Sequence, residues 1–123
     1  MRAKEAIAQL RELKPNQYSD SMMLRWLSDL DGQIYDDVMK NSEDAPPYPC
    51  LPYTVERDLD RHLLVPGPHH GLYVHYLSAQ IDYHNGEYDR YNNGMVMFNV
   101  AYQAFADAWT RSHMHRQDGV IHV

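Results

Sequence analysis

The sequence predicts an all-α fold: a small helical bundle with a long antiparallel αα-hairpin, about 69–84 and 87–112, and a long proline-rich excursion. Three observations predict it. From Tyr88 onward the large apolar residues Tyr88, Tyr91, Met95, Phe98, Tyr102, Phe105 and Trp109 recur at intervals of three and four. No strand, with its period of two, sustains that spacing. Met23, Leu27, Leu30, Ile34 and Val38 form a second helical stripe. Between the two, six of the seven prolines fall within 41–71, where they remove backbone donors and favour extended chain.

Each element follows in order. Ala6, Ile7, Leu10 and Leu13 lie at helical spacing within 2–13, and Lys14-Pro15-Asn16 ends that helix. Ser19 then caps a second helix, Asp20 suits its positive end, and Tyr18 is placed to staple against Met23. The stripe from Met23 to Val38 predicts about twenty residues of helix, which Gly32 weakens by about 1 kcal/mol relative to alanine. Periodicity then fades over 41–71, yet Tyr48, Cys50, Leu51, Tyr53, Leu63 and Val65 are too apolar for a free linker. The segment reads as an ordered loop laid over the helices, with a short helix at 55–62 or a short strand at 63–65. A loop this long inside a small domain is where a partner contact is expected. Helix 69–84 carries two stripes, one of Tyr73, Leu77 and Ile81, the other of Leu72, Tyr76, Ala79 and Tyr83. Asn85-Gly86 alone is a β-hairpin signal. Between two helical patterns it becomes the left-handed pair that closes one helix and admits the next. Asn92-Asn93-Gly94 either bends the second helix or lets a neighbouring backbone come close. Residues 114–123 are expected to form a flexible tail, and 1–123 a single domain.

Composition excludes several classes. No apolar run reaches the roughly 18–20 residues of a membrane span, and the charged, amphipathic start is unlike a secretory signal. Cys50 is the only cysteine, so there is no internal disulfide and the chain suits a reducing compartment. The net charge of −6 is concentrated between Asp29 and Asp60, where nine acidic residues face Lys40 and Arg57. With no basic patch, sequence-specific nucleic-acid binding is not expected. The acidic stretch is either plain solvated surface, or a flank that repels DNA or docks on a basic protein.

Residues that could carry chemistry do not fall into a working pattern. The eight histidines, His62, His69, His70, His75, His84, His113, His115 and His122, match no zinc-ligand spacing, and surface histidines are the simpler account. Asp36-Asp37, Glu43-Asp44 and Asp58/Asp60 lack a nucleophile elbow, phosphate-binding glycine loops are absent, and no basic residue neighbours Cys50 to activate it. No catalytic, cofactor-binding or metal-binding residue is therefore assigned, and the chain reads as a non-enzyme. Tyr88, Tyr91 and Tyr102 are most simply core. A helix apolar on two faces must bury both, and so short a chain has few elements to cover them. Self-association is expected, with Leu72, Tyr76 and Tyr83 on the helix and Tyr48 and Tyr53 on the excursion as contact residues.

Segments 13–38, 63–93 and 97–109, with Leu64-Val65-Pro66 before the hairpin and Asn85-Gly86-Glu87 at its bend, resemble a family of small virion proteins of tailed phages and prophages. These are described as head–tail connectors or adaptors. The resemblance implies an all-α adaptor that assembles as a ring between portal and tail, found in the virion and, during assembly, in the host cytoplasm. The chain departs from that pattern at Gly67-Pro68-His69-His70-Gly71, where a more acidic and aromatic helix start is expected. Alternatives are another prophage-encoded interaction module, such as a tail-assembly chaperone or a regulatory helical protein, and a metal-dependent enzyme built on the histidines.

Overall fold

In the computed structural model, which describes residues 1–113, the chain is mostly helical. The tail expected at 114–123 lies outside the described residues. The elements are α1 (Ala3–Leu13), α2 (Asp20–Ile34) running on into a π-helical turn (Tyr35–Met39), α3 (Val55–Asp58), α4 (Gly71–His84) and α5 (Tyr88–Ser112). Among the described residues there is no strand, only an isolated bridge between Arg2 and His62. Neither alternative for the excursion is met in full: the helix there is four residues long, and 63–65 joins no sheet.

α1 buries Ala3, Ala6, Ile7 and Leu10. Leu13, expected on the same face, is exposed, because the helix ends there and Lys14 turns away in extended backbone. Amides at the start of α1 would otherwise be orphaned. The excursion satisfies two of them, since Ala3 N–H donates to the Arg61 carbonyl and Lys4 N–H to the Leu59 carbonyl, each at 2.9 Å. At the far end Lys14 Nζ reaches the largely buried Asp82 at 2.7 Å, tying the linker after α1 to α4.

Ser19 caps α2 as its position suggests, accepting from Met22 N–H at 3.1 Å. Tyr18 lies against the Trp26 ring. Beyond Ile34 the stripe changes phase. A bond from Lys40 N–H to the Tyr35 carbonyl closes the wider π turn, so the next fully buried side chain after Ile34 is Met39, five residues on, and Val38 is only half-buried. Gly32 also has a packing role: a Cβ there would lie 3.0 Å from Leu51 Cδ1. The proline-rich segment thus sits directly on α2.

α4 is the central helix. Leu72, Tyr73, Leu77, Ala79 and Ile81 are buried because α4 packs against α1 and α2 on one side and α5 on the other. At its end Gly86 N–H donates to the Tyr83 carbonyl and Glu87 N–H to the Asp82 carbonyl, a Schellman cap. Only Gly86 is left-handed, with φ at 76°. Asn85 keeps right-handed backbone, which corrects the expected pair, since the cap needs one left-handed residue and glycine takes that conformation without steric penalty. α5 returns alongside: Tyr83 meets Tyr91, Tyr76 meets Phe98, and His69 meets Phe105. Gly94 is not a bend, for the helix runs through it. It is a close approach, where an added Cβ would fall 3.4 Å from Ala79 Cβ.

Candidate functional site

Two features stand out from the packing. One is interior and polar, the other exterior and apolar.

The interior feature begins with Asp31, on the buried face of α2 beside Leu27, Leu30 and Ile34. Its carboxylate is wholly buried. Oδ2 accepts from the Tyr53 hydroxyl at 2.6 Å and from Leu64 N–H at 3.2 Å, and Oδ1 accepts from the Tyr73 hydroxyl at 2.6 Å. The Tyr73 oxygen in turn accepts from Val65 N–H at 2.8 Å. One carboxylate therefore joins α2 and α4 to the excursion at Tyr53 and Leu64. Burial pushes the Asp31 pKa above the usual carboxylate value, although its two tyrosine donors pull the other way. Burial, then the Asp31 charge, raise both tyrosine pKa values. With every donor answered and no exposed edge, this group holds the fold rather than meeting a substrate.

A second knot fixes the excursion itself. Asp58 accepts from Thr54 N–H at 2.8 Å, Arg57 Nε at 2.9 Å and Arg61 Nε at 2.6 Å. Burial alone would raise its pKa, but the two guanidiniums and the Thr54 amide outweigh that and hold it at about 2. Arg57 also donates to the Cys50 and Pro52 carbonyls, and Arg61 sits over the Tyr53 ring. Asp60 pairs with Lys4. The acidic stretch is therefore less charged outward than its sequence suggests: Asp31 and Asp58 are inside, and Asp58 and Asp60 are paired.

Three of the described histidines act as aromatic rings. His84 stacks on Trp26 and His113 on Trp109, with planes within 13° and 6°. His69 meets Phe105 edge-on. Trp109, His113, Phe105 and Pro66 line a shallow cavity of about 200 Å³. Among the described residues no three His, Cys, Asp or Glu side chains come together as a metal would require; His115 and His122 lie outside them.

The exterior feature is on α5. Its inward stripe buries Phe98, Phe105 and Trp109. Its outward stripe leaves Val96, Met97 and Val100 exposed to 62%, 56% and 67%, with Ala104 exposed beyond them. The helix with an uncovered apolar face is thus α5 and not α4. Of the expected contact residues, Leu72 and Tyr53 are buried, the first under the bundle and the second against Asp31, so neither presents a surface. Tyr76 is half-buried on Phe98. Tyr48 and Tyr83 are exposed, each edge-on to another tyrosine, Tyr35 and Tyr88 respectively. Sequence reading weighs Asp58 only as one of a carboxylate pair with Asp60, and misses Asp31 and the α5 outer face. Two signals point to them: an aspartate in register with an apolar stripe, and Val96, Val100 and Ala104 at intervals of four. No helix of the described residues is long and apolar enough to cross a membrane. No protein-family model, curated protein or solved structure matches this chain.

Proposed function

We propose that the chain is a non-enzymatic structural protein whose work is assembly with other proteins, and that it serves as a head–tail connector of a tailed phage or prophage. The open apolar face of α5 carries the first half of that reading. Three large exposed apolar side chains within five residues, on a 25-residue helix whose other face is already buried, are what a contact surface looks like before its partner arrives. The buried carboxylates Asp31 and Asp58 are engaged in holding the fold. The second half rests on the resemblance of 13–38, 63–93 and 97–109 to connector proteins. A ring between portal and tail uses heterologous contacts, one face of each subunit meeting a different face of the next. Exposed Tyr48 and Tyr83, on other parts of the surface, suit such contacts by having an apolar body and a polar tip.

Pull-down against the portal and tail proteins of the same genome tests this. Portal binding, with the chain placed in the neck by electron microscopy, supports the connector. Binding to tail-assembly intermediates without incorporation into virions would make it an assembly chaperone, and loss of all virion association would reject the virion role.

A further inference from the structure

The α5 outer face is not only apolar; its charges are arranged about a centre. Val100, the most exposed of its apolar residues, has Asp89 eleven residues before it and Arg111 eleven residues after it. Eleven residues make three helical turns to within about 20°, so all three lie on one line of the helix. Asp89 and Arg111 are both exposed and make no ion pair among the described residues. Seven residues from the centre stand Asn93 and Asp107, and four residues from it Val96 and Ala104. Asp107 takes one bond from Gln103 within the helix, to Oδ1.

We infer that this face pairs with the same face of a second copy of the chain, antiparallel, about a two-fold axis at Val100. The inference rests on reading α5 as an assembly surface and names its occupant. In that register Val100 meets Val100, Val96 meets Ala104, Asn93 donates its amide to Asp107, and Asp89 meets Arg111 twice over. A parallel pairing sets Asp89 on Asp89 and Arg111 on Arg111. An antiparallel shift of seven residues puts Arg111 against an apolar residue and leaves Asp89 beyond the partner's charge. Of these arrangements only the two-fold at Val100 satisfies both the apolar centre and the charged ends. An isologous contact of this kind closes at two, so any ring draws on other surfaces. One helix face per subunit is at the small end of specific interfaces, so a weak, concentration-dependent dimer is expected.

Sedimentation of the full chain from micromolar to millimolar concentration tests it. A monomer–dimer equilibrium is expected, abolished by Val100→Asp. Asp89→Arg or Arg111→Asp alone turns two attractions into two repulsions and weakens the dimer about tenfold. The double variant Asp89→Arg/Arg111→Asp restores it to within about threefold. Both single changes also oppose the helix dipole, so thermal melts at dilute concentration serve as the folding control. On a Cys50→Ser background, Val100→Cys cross-links to itself under oxidation and Asp89→Cys does not. A monomer at every concentration, a dimer indifferent to Val100→Asp, or no restoration by the double variant overturns the pairing. The portal pull-down is read separately: a monomer that still binds portal through Val100 defeats this inference alone.

Discussion

Replacing Asp31 by alanine removes the one acceptor shared by Tyr53, Tyr73 and the Leu64 amide. All three donors lose that acceptor at once. Each orphaned donor costs roughly 1–3 kcal/mol, and three of them about 3–9 kcal/mol. A domain of this size holds on the order of 5–15 kcal/mol in total. Asp31→Ala is therefore expected to fall near or below the folding threshold. Asp31→Asn, which keeps an acceptor oxygen for one tyrosine, is expected to lose about 2–3 kcal/mol. Urea denaturation followed by far-ultraviolet circular dichroism measures both.

The sharper signature is a reversal of sign. In the natural background Tyr53→Phe and Tyr73→Phe each destabilise by about 1.5–3 kcal/mol, because a hydrogen bond to a charged acceptor is lost. Tyr73→Phe is the worse of the two, since it also strands Val65 N–H. In an Asp31→Leu background Tyr53→Phe becomes stabilising, because it removes a hydroxyl that no longer has an acceptor, whereas Tyr73→Phe costs less than before but still strands Val65 N–H. A loss below about 1 kcal/mol for Asp31→Ala, or tyrosine changes that destabilise equally in both backgrounds, would refute the claim that this carboxylate anchors the fold.

Two further outcomes follow from the structure. Two of the buried aspartates, Asp31 and Asp58, give opposite pH dependences. Asp31 has a raised folded pKa, so its share of stability is greatest below the unfolded value of about 3.9 and declines as pH rises through the folded value. Asp58, held at about 2, contributes above the unfolded value and is lost as pH falls from about 4 toward 2. Acid titration of stability should lose its upper slope in Asp31→Asn and its lower slope in Asp58→Asn. At Gly94, where an added Cβ meets Ala79 Cβ at 3.4 Å, alanine is expected to be neutral or to gain up to about 1 kcal/mol of helix propensity. Leucine there is expected to force α4 and α5 apart and lose about 1–3 kcal/mol by thermal denaturation.

Helical class was legible because apolar spacing of three and four has one interpretation over more than twenty residues. What periodicity does not encode is which stripe finds a neighbour. α4 shows two apolar stripes, and on that ground alone it looks under-covered; in the fold it lies between α1, α2 and α5, and most of both stripes is buried. The phase shift at Tyr35–Met39 was equally hidden, because a π turn moves the stripe by one residue without changing composition. Asp31 was visible as a charge on a buried face. Its partners were not, since Tyr53 and Tyr73 stand 22 and 42 residues away, the first brought in by the folded excursion and the second by the packing of α4 on α2.

The same contrast explains why the open face belongs to α5. Buried polar groups in this chain answer one another: Asp31 takes two tyrosines, Asp58 two arginines, Asp82 a lysine. The Asp31 and Asp58 knots fix the middle of the excursion against α1, α2 and α4, while its ends meet only the inner face of α5, at Ser42 with Trp109 and His69 with Phe105. α5 touches chiefly α4 and the π turn. Had Val96, Met97 and Val100 been polar, α5 would be an ordinary edge helix, satisfied by one neighbour and water. They are not. Each large apolar side chain kept in water forgoes roughly 1.5–3 kcal/mol of burial, a loss that folding alone gives no reason to keep. Substituting Val96 and Val100 by glutamine should therefore leave the unfolding free energy of dilute protein within about 0.5 kcal/mol of the natural chain while removing its association at high concentration. A large fall in the dilute midpoint would place the two valines inside the subunit's own packing and undo the case for an assembly face.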